Sequence, residues 1–170
     1  MFRFFRGIKL WFTDRPYYEQ WKRYMKRQDA VRKKLKKQVK EFCPWSGYYM
    51  HEIIRTMLEF YHKTYLAKDC CWSEDGRLEE IATSLGVALH WADELDRIED
   101  LEYNELIEIA QKDKAFAKYV SVWENKCNCR LDDSNHKEAL LGGIAEAYLN
   151  EKYTKAMYKI IGEHIWEWCD

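Results

Sequence analysis

The sequence predicts an all-α protein: a single-domain helical bundle of about five to seven helices, with a basic helical arm at its amino end. Three observations predict this class. Apolar residues recur at steps of three and four along most of the 170 residues, a length that fits one domain with its own core. Only two prolines and seven glycines interrupt this pattern. No segment alternates at period two between turn signals, so strands are not expected.

The first quarter of the chain is predicted to form two basic amphipathic helices. Residues 1–12 can form a short one, and Thr13-Asp14 before Pro16 is typical of a cap followed by a new helix. This second helix should run over about 15–42, and we expect its apolar stripe to be buried against the rest of the protein. The stripe consists of Tyr17, Trp21, Tyr24, Val31, Leu35, Val39 and Phe42.

Five further helices are predicted along the rest of the chain. Each begins after a break, such as Pro44 or the capping residues Ser73 and Ser134, and each carries an apolar stripe at the helical period. The segment Lys126–Asp133 is the least periodic and is predicted to be a loop. The expected ranges are about 47–67, 73–99, 103–112 and 113–125, with a last long helix after Ser134.

Charge is distributed unevenly, although the net charge is only −1. Residues 1–41 contain 14 Lys and Arg against 4 Asp and Glu, whereas the remainder contains 14 against 25. We therefore divide the chain into a basic arm (1–42) and an acidic helical body (43–170) that form one folding unit. Such an arm can bind phosphates or nucleic acid, meet an anionic lipid surface, or clasp the acidic body.

The candidate ligand-binding residues are cations on the outer face of the second helix. Because the aromatic residues of this helix fall on its apolar stripe, the cations alone remain for a ligand, and charge alone gives weak, salt-sensitive affinity. The candidates are Arg23, Lys26, Lys33, Lys34 and Lys37.

Metal binding has little support in the sequence. Cys127-x-Cys129 and Cys70-Cys71 lack the usual C-x2-C spacing of a zinc site. Glu59-x-x-His62 has the spacing of a helical di-iron motif, but such sites need the motif twice. We therefore expect six reduced thiols in a cytoplasmic protein, with no metal and no cofactor.

Catalytic motifs are equally scarce, so we expect a protein that is not an enzyme. The acidic run Asp93–Asp100 resembles the magnesium-binding helices of all-α nucleotide pyrophosphohydrolases. The detail differs, because Glu80 is followed by Ser84 and Leu85 where those enzymes carry a second acid. No nucleophile elbow and no phosphate-binding glycine loop are present.

Three segments resemble a group of small helical proteins of unknown function that is widespread in tailed-phage genomes. They are HEIIRTMLEFYHKTY, LHWADELDRIEDLEY and the terminus YKIIGEHIWEWCD, and the likeness covers about 49–170. The terminus is similar to the Trp-Trp-Asp ending of that group, with Cys169 in place of the second tryptophan. The resemblance implies a phage origin and expression in bacterial cytoplasm, but no activity.

These observations favour a non-enzymatic accessory protein that binds a host protein or a small anionic ligand and interferes with a host process or defence signal. Eight Trp and twelve Tyr also make a homo-oligomer a hypothesis, since such aromatics are favoured at interfaces. The alternatives are a nucleic-acid-binding protein using the basic helix, a virion structural component and a metal-dependent nucleotide hydrolase. No transmembrane segment is expected.

Overall fold

The computed structural model describes residues 2–41, 47–67, 75–128, 130–131 and 136–169, with side chains for 18–41, 50–67, 77–128, 130–131 and 136–168. In these ranges all regular structure is helical and there are no strands, which confirms the all-α prediction. None of these helices combines the length and apolar character that crossing a bilayer requires. The six helices are α1 (Phe2–Glu41), α2 (Gly47–Leu66), α3 (Asp75–Glu99), α4 (Tyr103–Gln111), α5 (Lys114–Cys127) and α6 (Lys137–Cys169).

The amino-terminal quarter forms one helix, so the predicted break at Thr13-Asp14 was wrong. α1 continues through Pro16 over 40 residues. Proline holds φ near the helical value and removes a single backbone hydrogen bond. Good helix formers such as Glu19 and Gln20 follow it, and the remaining bonds of a long helix outweigh this local cost.

α1 and α2 pair as an antiparallel hairpin. Near the end of α1 the buried Gln38 donates from Nε2 to Thr56 Oγ1 at 3.0 Å. Earlier in α1, Arg27 Nη1 donates to the Lys63 carbonyl at 3.2 Å, and the rings of Tyr24 and Phe60 lie 6.0 Å apart. Later α1 residues thus meet earlier α2 residues, as the short connection between the helices requires.

The buried stripe of α1 differs from the predicted one. Trp21 is 47% exposed and Val39 is 62% exposed, so the prediction that both are core residues was wrong. The contact with α2 instead runs along Tyr24 and Gln38. One neighbouring helix covers only part of the surface of α1. Within that part, the hydrogen bond to Thr56 offsets the cost of burying the amide nitrogen of Gln38.

The chain separates into two compact units, whose boundaries fall within α3 and α6. The first unit comprises 1–89 and 163–170, and the second comprises 90–162. The predicted division between 1–42 and 43–170 is a different one and stays a prediction. In the first unit, α2, the first part of α3 and the end of α6 supply the buried apolar side chains Leu58, Phe60, Tyr65, Leu78, Ile81, Ala82, Leu85, Ala88 and Trp168.

In the second unit, α4 and α5 are separated at the predicted break. Asp113 caps α5 by accepting a hydrogen bond from the Ala115 amide at 3.0 Å. At the other end Asn128 adopts φ 48°, the left-handed conformation that asparagine tolerates at helix ends. α5 extends to Cys127, two residues past its predicted end. Ser134, the predicted cap of α6, lies outside the described residues.

Gly142 in α6 is expected to tolerate no side chain, whereas its neighbour Gly143 should. A Cβ at Gly142 would lie 2.6 Å from the Cβ and Cγ of Tyr103, atoms close to the backbone of α4 that cannot rotate away. A Cβ at Gly143 meets nothing within 4 Å. We expect Gly142→Ala to lower the free energy of unfolding by about 1–3 kcal/mol through overpacking.

Gly143→Ala serves as the matched control and should raise the free energy of unfolding by up to about 1 kcal/mol, since alanine is the better helix former. Urea unfolding followed by circular dichroism at 222 nm measures both changes. Equal effects of the two substitutions would show that Tyr103 does not pack against Gly142 as described.

Candidate ligand-binding groove

A cavity of about 570 Å³ lies between α5 and α6 in the second unit. We call it the lysine-aromatic groove, because lysines and aromatic rings supply most of its lining. Its lining residues are Asp113, Ala115, Lys118, Tyr119, Val122, Trp123, Lys126, Tyr148, Glu151, Lys152 and Lys155.

Helical spacing brings these side chains to the groove. Along α5, Lys118, Val122 and Lys126 recur every four residues, and Tyr119 and Trp123 each lie one position farther on, so all five share one helix face. Along α6, steps of three and four connect Tyr148 to Lys155. Each helix therefore contributes one continuous face, and each face mixes cations with aromatic rings.

The floor of the groove is an aromatic cluster. Tyr148 is buried, and its ring centroid lies 5.1 Å from that of Tyr119 in an edge-to-face arrangement. The buried Phe116 also packs against Tyr148, with the two ring centroids 5.3 Å apart. Such pairs restrict ring motion and add about 0.5–1.5 kcal/mol each beyond burial alone. The groove thus has a firm apolar wall before any ligand enters.

Asp113 organises one end of the groove. Its carboxylate accepts hydrogen bonds from Lys152 Nζ at 2.5 Å, from the Ala115 amide at 3.0 Å and from the Tyr148 hydroxyl. These donors, Lys152 above all, hold the pKa of Asp113 far below its ordinary value. Burial, followed by the bond to Asp113, raises the pKa of Tyr148 to about 12. At neutral pH Asp113 is therefore a carboxylate and Tyr148 a neutral donor.

Glu151 plays a similar part farther along the groove. It accepts hydrogen bonds from Lys155 and from the Tyr119 hydroxyl, and Lys155 is the main cause that lowers its pKa. The pKa of Tyr119 is raised, first by burial and then by the charge of Glu151. Both tyrosine hydroxyls thus interact with a carboxylate of the protein, and both residues line the groove.

The groove keeps a positive charge after its internal pairs are counted. Four lysines and two carboxylates line it, which leaves a net charge of +2. Lys152 is paired with Asp113 and Lys155 with Glu151. In the described ranges Lys118 and Lys126 make no hydrogen bond or ion pair, although the charge of Lys126 contributes to the lowered pKa of Glu151. These two ammonium groups are available to an anion.

The pairing of Asp113 with Lys152 predicts a pH dependence of stability. The folded-state pKa of Asp113 is lowered from its ordinary value of 3.8, so the stabilisation is complete above pH 4 and is lost as the pH falls through the folded pKa. Asp113→Asn keeps the helix cap but removes this charge. We expect the stability advantage of the wild type over Asp113→Asn to be constant from pH 7 to pH 5 and to shrink below pH 4.

Urea unfolding at a series of pH values between 7 and 2.5 measures this difference. Lys152→Met is the control, because removing the lysine should weaken the pH dependence attributed to Asp113. A wild-type advantage that stays constant down to pH 2.5 would contradict the assigned pairing.

The sequence-predicted ligand residues lie elsewhere, on α1. Arg23, Lys26, Lys33, Lys34 and Lys37 are all exposed and share one side of the helix over about 21 Å. Lys37 Nζ lies 3.9 Å from Glu41 of the same helix. These residues form a surface row, which we call the α1 row. None of them lines the lysine-aromatic groove.

The other side chains that the sequence offered as possible metal ligands form ion pairs or line a second cavity. Glu59 lies 3.4 Å from both Arg55 and Lys63, and His62 lines a second cavity of about 500 Å³ in the first unit. In the acidic run, Glu94 pairs with Arg97 at 2.6 Å. Within the described residues, no group of three or more His, Cys, Asp or Glu side chains is arranged to hold a metal ion.

The thiols of the predicted cysteine set are only partly described. Cys127 is exposed and free of any disulfide. The side chains of the other five lie outside the described residues: Cys43, Cys70, Cys71, Cys129 and Cys169. That these five thiols are reduced and hold no metal therefore stays a prediction.

Sequence reasoning missed the lysine-aromatic groove. A signal was present, since Lys118, Val122 and Lys126 recur every four residues in α5, and Tyr148, Lys152 and Lys155 follow a similar spacing in α6. Each pattern alone is typical of a solvated helix face. Only the pairing of the two faces makes a site, and periodicity does not reveal which helices pair.

Comparison with protein-family models, with curated proteins and with solved structures finds no match for this chain.

Proposed function

We propose that the protein is a non-enzymatic binding protein for a small organic anion, which it holds in the lysine-aromatic groove. The observation that carries this proposal is that one cavity combines packed aromatic rings with two lysines, Lys118 and Lys126, that make no ion pair within the described residues. Its volume of about 570 Å³ falls in the range of about 300–1,000 Å³ that is usual for small-molecule sites. Rings bury apolar surface there while ammonium groups select the charge.

The titration of the groove supports binding over catalysis. General acids and bases work best with pKa values near the operating pH. Asp113 and Glu151 have lowered pKa values and are held in ion pairs, and the pKa of Tyr148 is raised to about 12. All three groups are thus displaced away from neutrality, in directions that suppress proton transfer.

The experiment uses 1-anilinonaphthalene-8-sulfonate, a fluorescent aromatic anion, as the probe. We expect one saturable site on the folded wild type at neutral pH. The double variant Lys118→Glu/Lys126→Glu should weaken binding at least about tenfold, because two attractive charges become repulsive and 1.4 kcal/mol corresponds to a factor of ten. Unchanged probe binding by this variant would reject the groove as the site.

Lys33→Glu/Lys34→Glu is the matched control, since it reverses two charges on the exposed α1 row. It should bind the probe like the wild type. If this control loses probe binding and the groove variant does not, the small-anion site lies on α1, where the charge pattern of the sequence predicts it.

Nucleic-acid binding by the α1 row is a second candidate, favoured by the exposure of all five of its cations. Phosphate contacts of this kind give affinity that falls steeply with salt. Fluorescence anisotropy with a labelled 20-nucleotide duplex tests this candidate. We expect Lys33→Glu/Lys34→Glu to reduce the affinity and the salt dependence, while Lys118→Glu/Lys126→Glu leaves both unchanged. An affinity for the duplex that the α1 substitutions leave unchanged would reject this candidate.

A biological setting for this proposal is suggested by the three sequence segments that resemble the tailed-phage group. We propose that a phage-encoded protein of this kind acts in the cytoplasm of its bacterial host, where sequestering a small anion would interfere with a host process or defence signal. Exposed aromatic residues such as Trp166, which is 79% exposed, offer a contact surface for a host protein instead. Native mass spectrometry of protein purified from a bacterial host reports a retained small molecule, a partner or a homo-oligomer.

A further inference from the structure

We infer that the ligand of the lysine-aromatic groove is a planar dianion that carries one anionic group at each end and an apolar ring between them. This inference rests on the proposed function and names the ligand class for the same site. Aromatic dicarboxylates and ring-bearing bisphosphates belong to this class.

The charge count sets the number of anionic groups. Asp113 and Glu151 each neutralise one lysine of α6, Lys152 and Lys155 respectively. The charge of +2 that remains comes from Lys118 and Lys126, both on α5. A ligand with two negative charges would balance it. A monoanion would balance the charge of only one of these two exposed ammonium groups.

The spacing of the two lysines separates those charges. Lys118 and Lys126 are eight residues apart, which corresponds to about 12 Å along the axis of α5. A single compact anion, such as inorganic phosphate, would have to draw both long side chains toward one point. Two anionic groups at opposite ends of a ligand meet one lysine each without that loss of side-chain freedom.

The groove-lining residues between the two lysines are apolar or aromatic. Tyr119, Val122 and Trp123 line the stretch that separates Lys118 from Lys126. The Tyr119 hydroxyl is engaged by Glu151, so its ring face is what it presents. Trp123 is half-buried, and its indole N–H has no hydrogen-bond partner among the described residues. This middle section suits a planar ring, with one N–H donor available to an acceptor on it.

Four probes test the inference by displacement of 1-anilinonaphthalene-8-sulfonate from the groove. Naphthalene-2,6-disulfonate has a ring and two terminal charges, naphthalene-2-sulfonate has a ring and one charge, butane-1,4-disulfonate has two charges without a ring, and inorganic phosphate is compact. We expect the 2,6-disulfonate to bind about fivefold more tightly than each of the others, since Lys118 and Lys126 are exposed and one further ion pair at an exposed lysine is worth up to about 1 kcal/mol.

Single variants identify which lysine meets which charge. In Lys118→Met and in Lys126→Met, the advantage of the disulfonate over the monosulfonate should fall to less than about twofold, since the second ion pair is lost. Lys112→Met, an exposed substitution outside the groove, should keep the full advantage. This ratio is measured on folded protein, so a general loss of stability does not imitate the expected result.

The outcomes separate the inference from the proposed function. Equal affinity for the two naphthalene probes, with both displaced from the groove, overturns the dianion and leaves a groove for simple aromatic anions. Tighter binding of butane-1,4-disulfonate than of the naphthalene disulfonate overturns the ring. Failure of 1-anilinonaphthalene-8-sulfonate itself to bind at the groove removes the proposed function and the inference with it.

Discussion

Replacing Trp168 by alanine is expected to lower the free energy of unfolding by about 3–5 kcal/mol, the usual loss for a large buried aromatic residue. Trp168 is only 3% exposed although it lies near the end of α6. Its indole N–H donates to Ser84 Oγ at 2.9 Å, and its carbonyl accepts from the Tyr65 hydroxyl at 2.7 Å. The substitution would leave a cavity and would also leave the Ser84 hydroxyl without its donor.

Trp166→Ala is the matched control, because Trp166 is 79% exposed on the same helix. Its effect should stay within about 0.5 kcal/mol. Trp168→Phe separates the contribution of the hydrogen bond from that of ring burial, since it keeps an aromatic ring but removes the hydrogen bond to Ser84. Urea unfolding by circular dichroism gives the three values. Similar losses for Trp166 and Trp168 would show that the end of α6 does not dock as described.

Phe116→Ala is expected to cost about 3–5 kcal/mol and to open the floor of the groove. Phe116 is 4% exposed, and its ring lies 5.3 Å from that of Tyr148, which in turn carries the contacts to Tyr119 and Asp113. Loss of the Phe116 ring removes the support on one side of Tyr148. Binding of 1-anilinonaphthalene-8-sulfonate at the groove should therefore weaken together with stability.

Val122→Ala is the control for this second prediction. Val122 lies in the same helix and lines the groove, but it is 44% exposed. Its removal should change the free energy of unfolding by less than about 1 kcal/mol while reducing probe affinity slightly. A Phe116→Ala protein with wild-type stability would contradict the packing of α5 on α6.

The helices could be predicted from the sequence because each stripe at the helical period is a local signal. The break at Asp113 and the left-handed end at Asn128 are also local, since capping residues act over one turn. The prediction failed at Pro16, where a strong local signal for a break competes with the summed helix propensity of both sides. It failed again at Trp21 and Val39, because an apolar residue does not reveal whether a neighbouring helix covers it.

The candidate site was less predictable than the fold. The α1 row is visible in the sequence as a run of charge, because its residues share one helix. The groove depends on α5 meeting α6, and Lys118 is 30 residues from Tyr148 along the chain. Trp168 lies in the terminal segment YKIIGEHIWEWCD, and the structure shows that it is buried and hydrogen-bonded to Ser84 and Tyr65.

The indole N–H signals of the eight tryptophans offer the most direct test of the central claim that the groove binds a planar anion. In a proton–nitrogen correlation spectrum, with Trp123→Phe used for assignment, titration with naphthalene-2,6-disulfonate should shift the Trp123 signal saturably and leave Trp21 and Trp166 in place. An unmoved Trp123 signal, or shifts centred on Trp21 near the α1 row, would contradict the account.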